Sequence, residues 1–268
     1  MRFGITANVD VPDAMNICNR VLKALEGHEV FLETGLAKKL GMKGKHVHEM
    51  DVDVLITIGG DGTILRSLQR NQAPIFGINA GVLGFLTEIP AKDIDTGIQR
   101  VIRGDYVIDE RLKLKTTVGG KRLYDSVNET VVHTANIAKI RQFQVHVDDQ
   151  MVMDVRADGI IVATPTGSTC YAMSVGAPII DPRVDAVVIA PMAPFKFAAK
   201  PIVVPATSNI KLKLERPKPC VVVVDGQEMH KMSGNEMVEL TVSENRGRFI
   251  SFGRDFYARL RDKLMGSL

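Results

Sequence analysis

The stretch Val52-Asp53-Val54-Leu55-Ile56-Thr57-Ile58, running into Gly59-Gly60-Asp61-Gly62, restricts the fold more than any other part of the chain. An apolar, β-branched run of this kind reads as a strand buried on both faces, the habit of parallel sheets. Parallel strands need crossover connections, so strands and helices should alternate around it. They do. Phe3 to Ala7 reads as a strand, and Asp10-Val11-Pro12-Asp13 opens an amphipathic helix running to about Glu26 and stopped by Gly27. Val30 to Glu33 reads as a second strand, Thr63 to Arg70 as a helix, and Pro74 to Ile78 as a short strand. The expectation for residues 1–105 is a Rossmann-like α/β domain carrying the glycine turn.

Past this region the pattern changes to short strands. Leu112 to Val118 and Lys121 to Asp125 flank Gly119-Gly120, and Phe143 to Val147 and Met151 to Val155 flank Asp148-Asp149; both pairs suit tight hairpins. Val127 to Thr134, Ile160 to Ala163, Ala186 to Ala190, Ile210 to Leu214, Val221 to Val224, Met237 to Val242 and Phe249 to Phe252 continue the series. Residues 106–253 are therefore expected to form an all-β, sandwich-like domain. Residues 254–268 should form a helix returning to the first domain, with Phe256, Leu260 and Leu264 on one face.

Composition excludes several classes. Of 268 residues, 45% are hydrophobic and 24% charged, which suits a folded soluble chain, and with 5% aromatics and no Trp the core must be aliphatic. The 34 basic and 31 acidic residues leave +3, too little to demand nucleic acid. No apolar run is long enough for a membrane span, and the first residues turn polar too soon for a signal peptide. Cys18, Cys170 and Cys220 are far apart and odd in number, against a disulfide framework and for a reducing, cytoplasmic setting.

The chemistry is expected at strand ends. In Gly59-Gly60-Asp61-Gly62-Thr63 the glycines let backbone approach phosphate oxygens at a helix start. Asp61 could polarise a hydroxyl or hold a metal; alternatively it only caps the helix. Thr164-Pro165-Thr166-Gly167-Ser168-Thr169, reached from Asp158-Gly159 and followed by Cys170-Tyr171, gathers hydroxyls and one aromatic ring; alternatively it is a helix-opening turn. Asn128-Glu129 interrupts an apolar strand, with solvent exposure the default reading. Asp225-Gly226-Gln227 reads as a type I′ hairpin. His46 and His48 lack a third ligand, and Lys38-Lys39 with Lys43 and Lys45 read as a solvated face.

Taken in order, these motifs resemble the NAD kinase family along nearly the whole chain. Gly59 to Thr63 alone is shared with phosphofructokinases and with diacylglycerol and sphingosine kinases. The specific part is the ordered set Gly77-x-Asn79-x-Gly81-x-Leu83-Gly84-Phe85-Leu86, Asn128-Glu129, Asp158-Gly159 through Thr169, Tyr171, Pro201 to Pro205 and Asp225-Gly226. Cys170 stands where the family usually has Ala, and Lys200 where it has Arg. Met192 to Phe197 differs from the family's usual His- and Ser-containing segment.

The resemblance implies phosphorylation of the adenosine ribose 2′-hydroxyl of NAD, giving NADP. Asp61 would be the general base. Gly59, Gly60, Gly62, Thr63 and Arg66 would bind donor phosphates. Asn128 would bond the adenine and Glu129 the ribose, while Thr166, Thr169 and Tyr171 line the adenosine pocket. Asp158 would face the nicotinamide end, and Phe85, Gly62, Ser174 and Asp225 complete the NAD site between the two domains. The implied donor is ATP or polyphosphate, with Mg²⁺ or another divalent cation of unassigned ligands. The implied assembly is a homodimer or homotetramer, without nucleic acid or membrane.

Overall fold

The computed structural model describes residues 1–81, 84–136, 138–195, 199–253 and 255–264. The chain forms two compact units, Met1–Glu110 with Gly247–Leu268, and Arg111–Arg246.

The first unit runs β1 (Arg2–Ala7), α1 (Ala14–Ala24), β2 (Glu29–Glu33), α2 (Thr34–Leu40), β3 (Gly44–Lys45), β4 (Val54–Gly59), α3 (Asp61–Leu68), β5 (Ile75–Asn79), β6 (Ile89–Pro90), α4 (Ile94–Arg103) and β7 (Val107–Arg111). Strands β3, β2, β1, β4 and β5 lie side by side in that order, all parallel. Every residue of β4 is buried, which explains its unbroken apolar run. Helix α1 starts at Ala14 and buries Ala14, Ile17, Cys18 and Val21, the i, i+3, i+4, i+7 face of an amphipathic helix. Helix α4 is an addition to the sequence reading, with Ile94, Ile98 and Val101 giving it a similar buried face. Phe3, Ile5, Ile56, Ile58, Phe76 and Ile78 centre the core.

The second unit runs β8 (Leu114–Val118), β9 (Lys121–Arg122), β10 (Glu129–Thr134), β11 (Arg141–Val147), β12 (Gln150–Ala157), β13 (Gly159–Ala163), α5 (Tyr171–Ser174), β14 (Ala186–Met192), β15 (Ile202–Pro205), β16 (Ile210–Leu214), β17 (Cys220–Val224), β18 (Glu228–Met232) and β19 (Val238–Val242). One sheet is ordered β15-β14-β13-β10-β17-β18 and the other β12-β11-β16-β19-β8-β9. Pairings within both are antiparallel. Val132, Ile160, Val162 and Val222 of the first pack with Leu114, Phe143, Leu212 and Leu240 of the second, the shared core of a sandwich. The first sheet is buried on its other face too, where Val131, Ile161 and Val188 meet Ala172 and Ile180. Both hairpins form as expected, with Val118 opposite Lys121 and Val147 opposite Gln150.

One strand lies elsewhere than its place in the sequence suggests. Strand β20 (Gly247–Ser251) leaves the sandwich and pairs parallel with β5, Phe249 opposite Ile75, with β7 on its far side. Compactness thus divides the chain after 110 and after 246, where the sequence pattern places the divisions at 105 and 253. A five-residue alternation states that one face is buried, not which sheet buries it. Helix α6 (Phe256–Leu264) comes next, within the first unit. Its Arg259 donates to Phe85 O at 2.9 Å and Thr87 O at 3.0 Å and pairs with the buried Glu88, whose carboxylate also accepts from Phe252 N at 2.7 Å. Arg254, the expected first residue of that helix, lies outside the described residues.

Candidate active site

In the first unit, β4 ends at Gly59 and α3 starts at Asp61 with Gly60 as the N-cap. Asp61 does not cap its own helix. Its carboxylate turns to the loop after β5, where Phe85 N donates to Oδ2 at 2.8 Å and Leu86 N to Oδ1 at 3.1 Å. Gly84 permits this approach, since a Cβ there would sit 1.8 Å from Oδ1. The sequence alone marks the glycines of that loop only as a turn or ligand wall; Val82 and Leu83 of the segment lie outside the described residues. Asn79 and Thr87 brace it, with Asn79 Oδ1 accepting from Gly81 N at 2.8 Å and Thr87 Oγ1 from Gly84 N at 3.2 Å. Each carboxylate oxygen of Asp61 keeps a lone pair for a substrate proton.

Thr63 is buried in the first turn of α3, while Arg66 is exposed. Arg66 and Arg70, one turn apart, line a cavity of about 340 Å³ with Asn8, Asp10 and Glu33. This cavity adjoins the glycine turn, because a Cβ on Gly59 would touch Asn8 Cβ at 3.3 Å. It sits at the carboxyl ends of β1 and β2, where open α/β sheets take ligands. Among the described residues neither guanidinium has a hydrogen-bond or ionic partner. Asn8, Asp10, Glu33 and Arg70 are not marked in the sequence, because nothing local identifies residues that converge only through the sheet.

In the second unit, Asn128 and Glu129 sit where β10 begins. Contrary to the default reading they are buried, at 5% and 7% exposure, and Asn128 Oδ1 and Glu129 Oε2 have no hydrogen-bond partner among the described residues. Two orphaned acceptors side by side at a strand end point to a polar ligand. Burial, and secondarily the charge of Asp225, pushes the Glu129 carboxyl up to about 8, so it is mostly protonated at neutral pH.

The hydroxyl-rich turn lies against this pair. Thr164 N donates to Asn128 O at 2.9 Å, Thr164 Oγ1 to Val127 O at 2.5 Å, and Asn128 Nδ2 to Cys170 Sγ at 3.4 Å. Gly167 packs so close that a Cβ would lie 2.1 Å from Asn128 O. Thr166 and Thr169 are buried and Tyr171 is 46% exposed; Thr166 Oγ1 accepts from Arg111 at 3.5 Å and Thr169 Oγ1 donates to Thr166 O at 3.1 Å. The turn is thus a wall for Asn128 as well as a helix start. Ser174 donates to Tyr171 O at 2.7 Å, which engages its hydroxyl within α5.

Asp225 takes a different part. It lies in the left-handed region (φ +50°), as does Gly226 (φ +65°), in keeping with the I′ reading. Its carboxylate accepts from Val127 N and Asn128 N, both at 2.8 Å, and from Glu129 N at 3.1 Å. Asp225 therefore holds the Asn128-Glu129 backbone. Burial pushes its carboxyl up to about 6 against the pull of these bonds. Lys113, 1% exposed, places a cation near Asp225 and Asp125, and burial lowers its pKa. It falls inside the expected strand Leu112 to Val118, and nothing local in the sequence marks its role. Asp158 is not brought to this end. Asn128 bonds Thr164 whereas Thr134 bonds Asp158, so six residues of β13 and its ends, or ~20 Å, separate them.

No group of three or more His, Cys, Asp or Glu side chains able to hold a metal occurs among the described residues, so His46 and His48 remain a stacked ring pair. Asp61 is the carboxylate within the glycine turn, and Asp10 and Glu33 line the cavity beside it. That donor set fits a Mg²⁺ held chiefly by phosphate oxygens and water, the usual habit of that ion. No helix among the described residues is long and apolar enough to cross a membrane.

Residues 3–106 match the family model described as ATP-NAD kinase N-terminal domain, and residues 127–252 match the ATP-NAD kinase C-terminal domain. The NAD kinase of Thermoplasma volcanium is 44% identical over 238 residues, 88% of each chain. The crystal structure of an NAD kinase from Archaeoglobus fulgidus in complex with ATP superposes with a TM-score of 0.81 at 29% identity, covering 100% of both chains. Yeast NADH kinase complexed with NADH shares the fold, with a TM-score of 0.91 at 20% identity over 99% of this chain and 87% of its own.

Proposed function

The chain belongs to the NAD kinase family and phosphorylates NAD at the expense of ATP; we propose that the acceptor is the 2′-hydroxyl of the adenosine ribose and that Asp61 is the general base. The observation that carries this reading is the pair of buried, unpartnered acceptors on Asn128 and Glu129. An adenosine supplies donors for both: the adenine amino group for Asn128 Oδ1 and a ribose hydroxyl for Glu129 Oε2. Thr166, Thr169 and Tyr171 line the adenosine pocket beside them. Asp158, far along β13, would meet only the nicotinamide end of an extended dinucleotide.

A ribose hydroxyl is a weak nucleophile, so the chain must supply alignment and a proton acceptor. In the proposed step the 2′-oxygen forms a bond to the γ-phosphorus as the bond to the β,γ-bridging oxygen breaks. The hydroxyl proton passes to Asp61, and ADP leaves. Gly59, Gly60, Gly62 and Thr63 hold the donor phosphates, joined by Arg66 with Arg70 from the neighbouring cavity. Two guanidiniums without partners among the described residues suit phosphate oxygens. Asp10 and Glu33 in the same cavity suit the hydroxyls of a nucleoside and would repel a bare polyphosphate, which favours ATP. A divalent cation such as Mg²⁺, bound with the triphosphate, would neutralise its developing charge. We place the enzyme in the cytoplasm as a homodimer or homotetramer, acting without nucleic acid or membrane.

Purified protein given NAD, ATP and Mg²⁺ should form NADP, read with an NADP-specific dehydrogenase. Absence of NADP above a protein-free blank overturns the assignment. Replacing ATP by polyphosphate should lower the rate at least tenfold.

A further inference from the structure

The loop that grips Asp61 is itself gripped from the far end of the chain. Phe85 and Leu86 turn their N–H groups to Asp61, at 2.8 and 3.1 Å. Arg259 donates one guanidinium nitrogen to Phe85 O at 2.9 Å, the carbonyl of the peptide unit that carries the Leu86 N–H, and to Thr87 O at 3.0 Å. Its second nitrogen pairs with Glu88. The Arg259 side chain is 15% exposed and that of Glu88 4%, so water screens this pair little. Lys263, one turn further along α6, lies 4.7 Å from the centre of the Phe85 ring. The planar guanidinium satisfies two carbonyls and a carboxylate together, which a single ammonium cannot do with the same geometry.

We infer that Arg259 of the C-terminal helix is a positioning residue for phosphoryl transfer, holding the Phe85-to-Glu88 loop so that its amides fix the Asp61 carboxylate. This rests on the reading of Asp61 as general base. Removing the guanidinium takes a donor from two carbonyls and a charged partner from the buried Glu88 carboxylate, which keeps Phe252 N. The loop then shifts, and Asp61 loses the two N–H groups that set its orientation. The substrate-binding residues of the second unit have no part in these contacts, so the loss should fall on kcat.

The full-length protein is compared as wild type, Arg259→Met, Arg259→Lys and each on an Asp61→Asn background. Amide hydrogen exchange at Phe85 and Leu86 is followed alongside NADP formation. Arg259→Met should lower kcat about 10- to 100-fold, with KM for NAD changed less than twofold, and Arg259→Lys should fall between. Exchange at both amides should quicken in Arg259→Met and in Asp61→Asn alike. On the Asp61→Asn background Arg259→Met should cost little further, because both changes act on one group. The inference is overturned by unchanged exchange at these amides, or by equal kcat losses in the two backgrounds. A rise confined to KM for NAD overturns it too. If the wild type forms no NADP, the kinase reading fails first. If Asp61→Asn turns over like wild type, the general-base reading fails and the inference with it, whatever the exchange shows. Arg259→Lys keeps the test open should Arg259→Met fail to fold.

Discussion

The two units treat their carboxylates in opposite ways. Asp61 in the first is half-buried and met by two backbone N–H donors. Glu129 in the second is buried, with one oxygen bonded to nothing among the described residues, and its pKa is pushed up to about 8. Two donors fix the orientation of a carboxylate, whereas burial without donors favours the neutral form of one. The oriented Asp61 offers its oxygens to a substrate proton; a protonated Glu129 can both donate to and accept from a sugar hydroxyl. The same functional group thus serves chemistry in one unit and recognition in the other, and the surrounding backbone decides which.

The contrast can be broken most severely at Asp61. Asp61→Asn should reduce kcat about 10²- to 10⁴-fold while NAD affinity, followed by calorimetry, stays within about threefold. Equal losses in both would make Asp61 a binding residue.

Next comes the strap beneath Glu129. Asp225→Asn replaces one acceptor oxygen by an N–H₂ group facing backbone donors from Val127, Asn128 and Glu129. We expect about 2–4 kcal/mol of lost stability in urea unfolding, with NAD binding weakened at least tenfold. Unimpaired NAD binding would separate the strap from the site.

Glu129→Gln sharpens the contrast through pH. The folded-state pKa lies near 8, above the ordinary value of 4.5, so the folded protein holds the extra proton between those limits. Wild-type stability from this group is therefore full below about pH 4.5 and is lost as pH rises through about 8. The amide does not titrate. Relative to wild type, Glu129→Gln should gain about 2–4 kcal/mol between pH 5 and pH 8.5, read as unfolding free energies at each pH. A difference independent of pH would show that Glu129 is charged in the fold.

The smallest effect is expected at Ser174, whose hydroxyl already bonds Tyr171 O. Ser174→Ala should alter KM for NAD less than twofold in steady-state assays, and a larger rise would return it to the binding surface.

How much of the molecule is legible in the sequence depends on how local each signal is. Strand β4 and the glycine turn are legible because a fully buried parallel strand must be apolar throughout and its ligand turn must be small. The hairpins at Gly119-Gly120 and Asp148-Asp149 are legible because left-handed residues name themselves. Asp225 shows as the turn it makes, but not as the acceptor for three amides nearly a hundred residues earlier in the chain. Lys113 passes unmarked because strand alternation cannot tell a solvent face from a buried ionic one. Strand β20 goes with its neighbours when only the sequence is read, whereas its partner is Ile75. In each failure the deciding contact joins distant segments, which no short window contains.

The return of β20 and α6 to the first sheet has a consequence for how the protein is made. During synthesis the second unit is complete once Arg246 has left the ribosome, while the first unit, begun earlier, still lacks a strand. Until Gly247–Ser251 emerges, the Ile75 end of β5 is a bare edge, the kind of surface that recruits other chains. Glu88 likewise waits for Phe252 and Arg259. The half of the molecule that is translated first is the half that finishes last, and a message cut short after residue 246 would yield a sticky, inactive product with a well-folded sandwich.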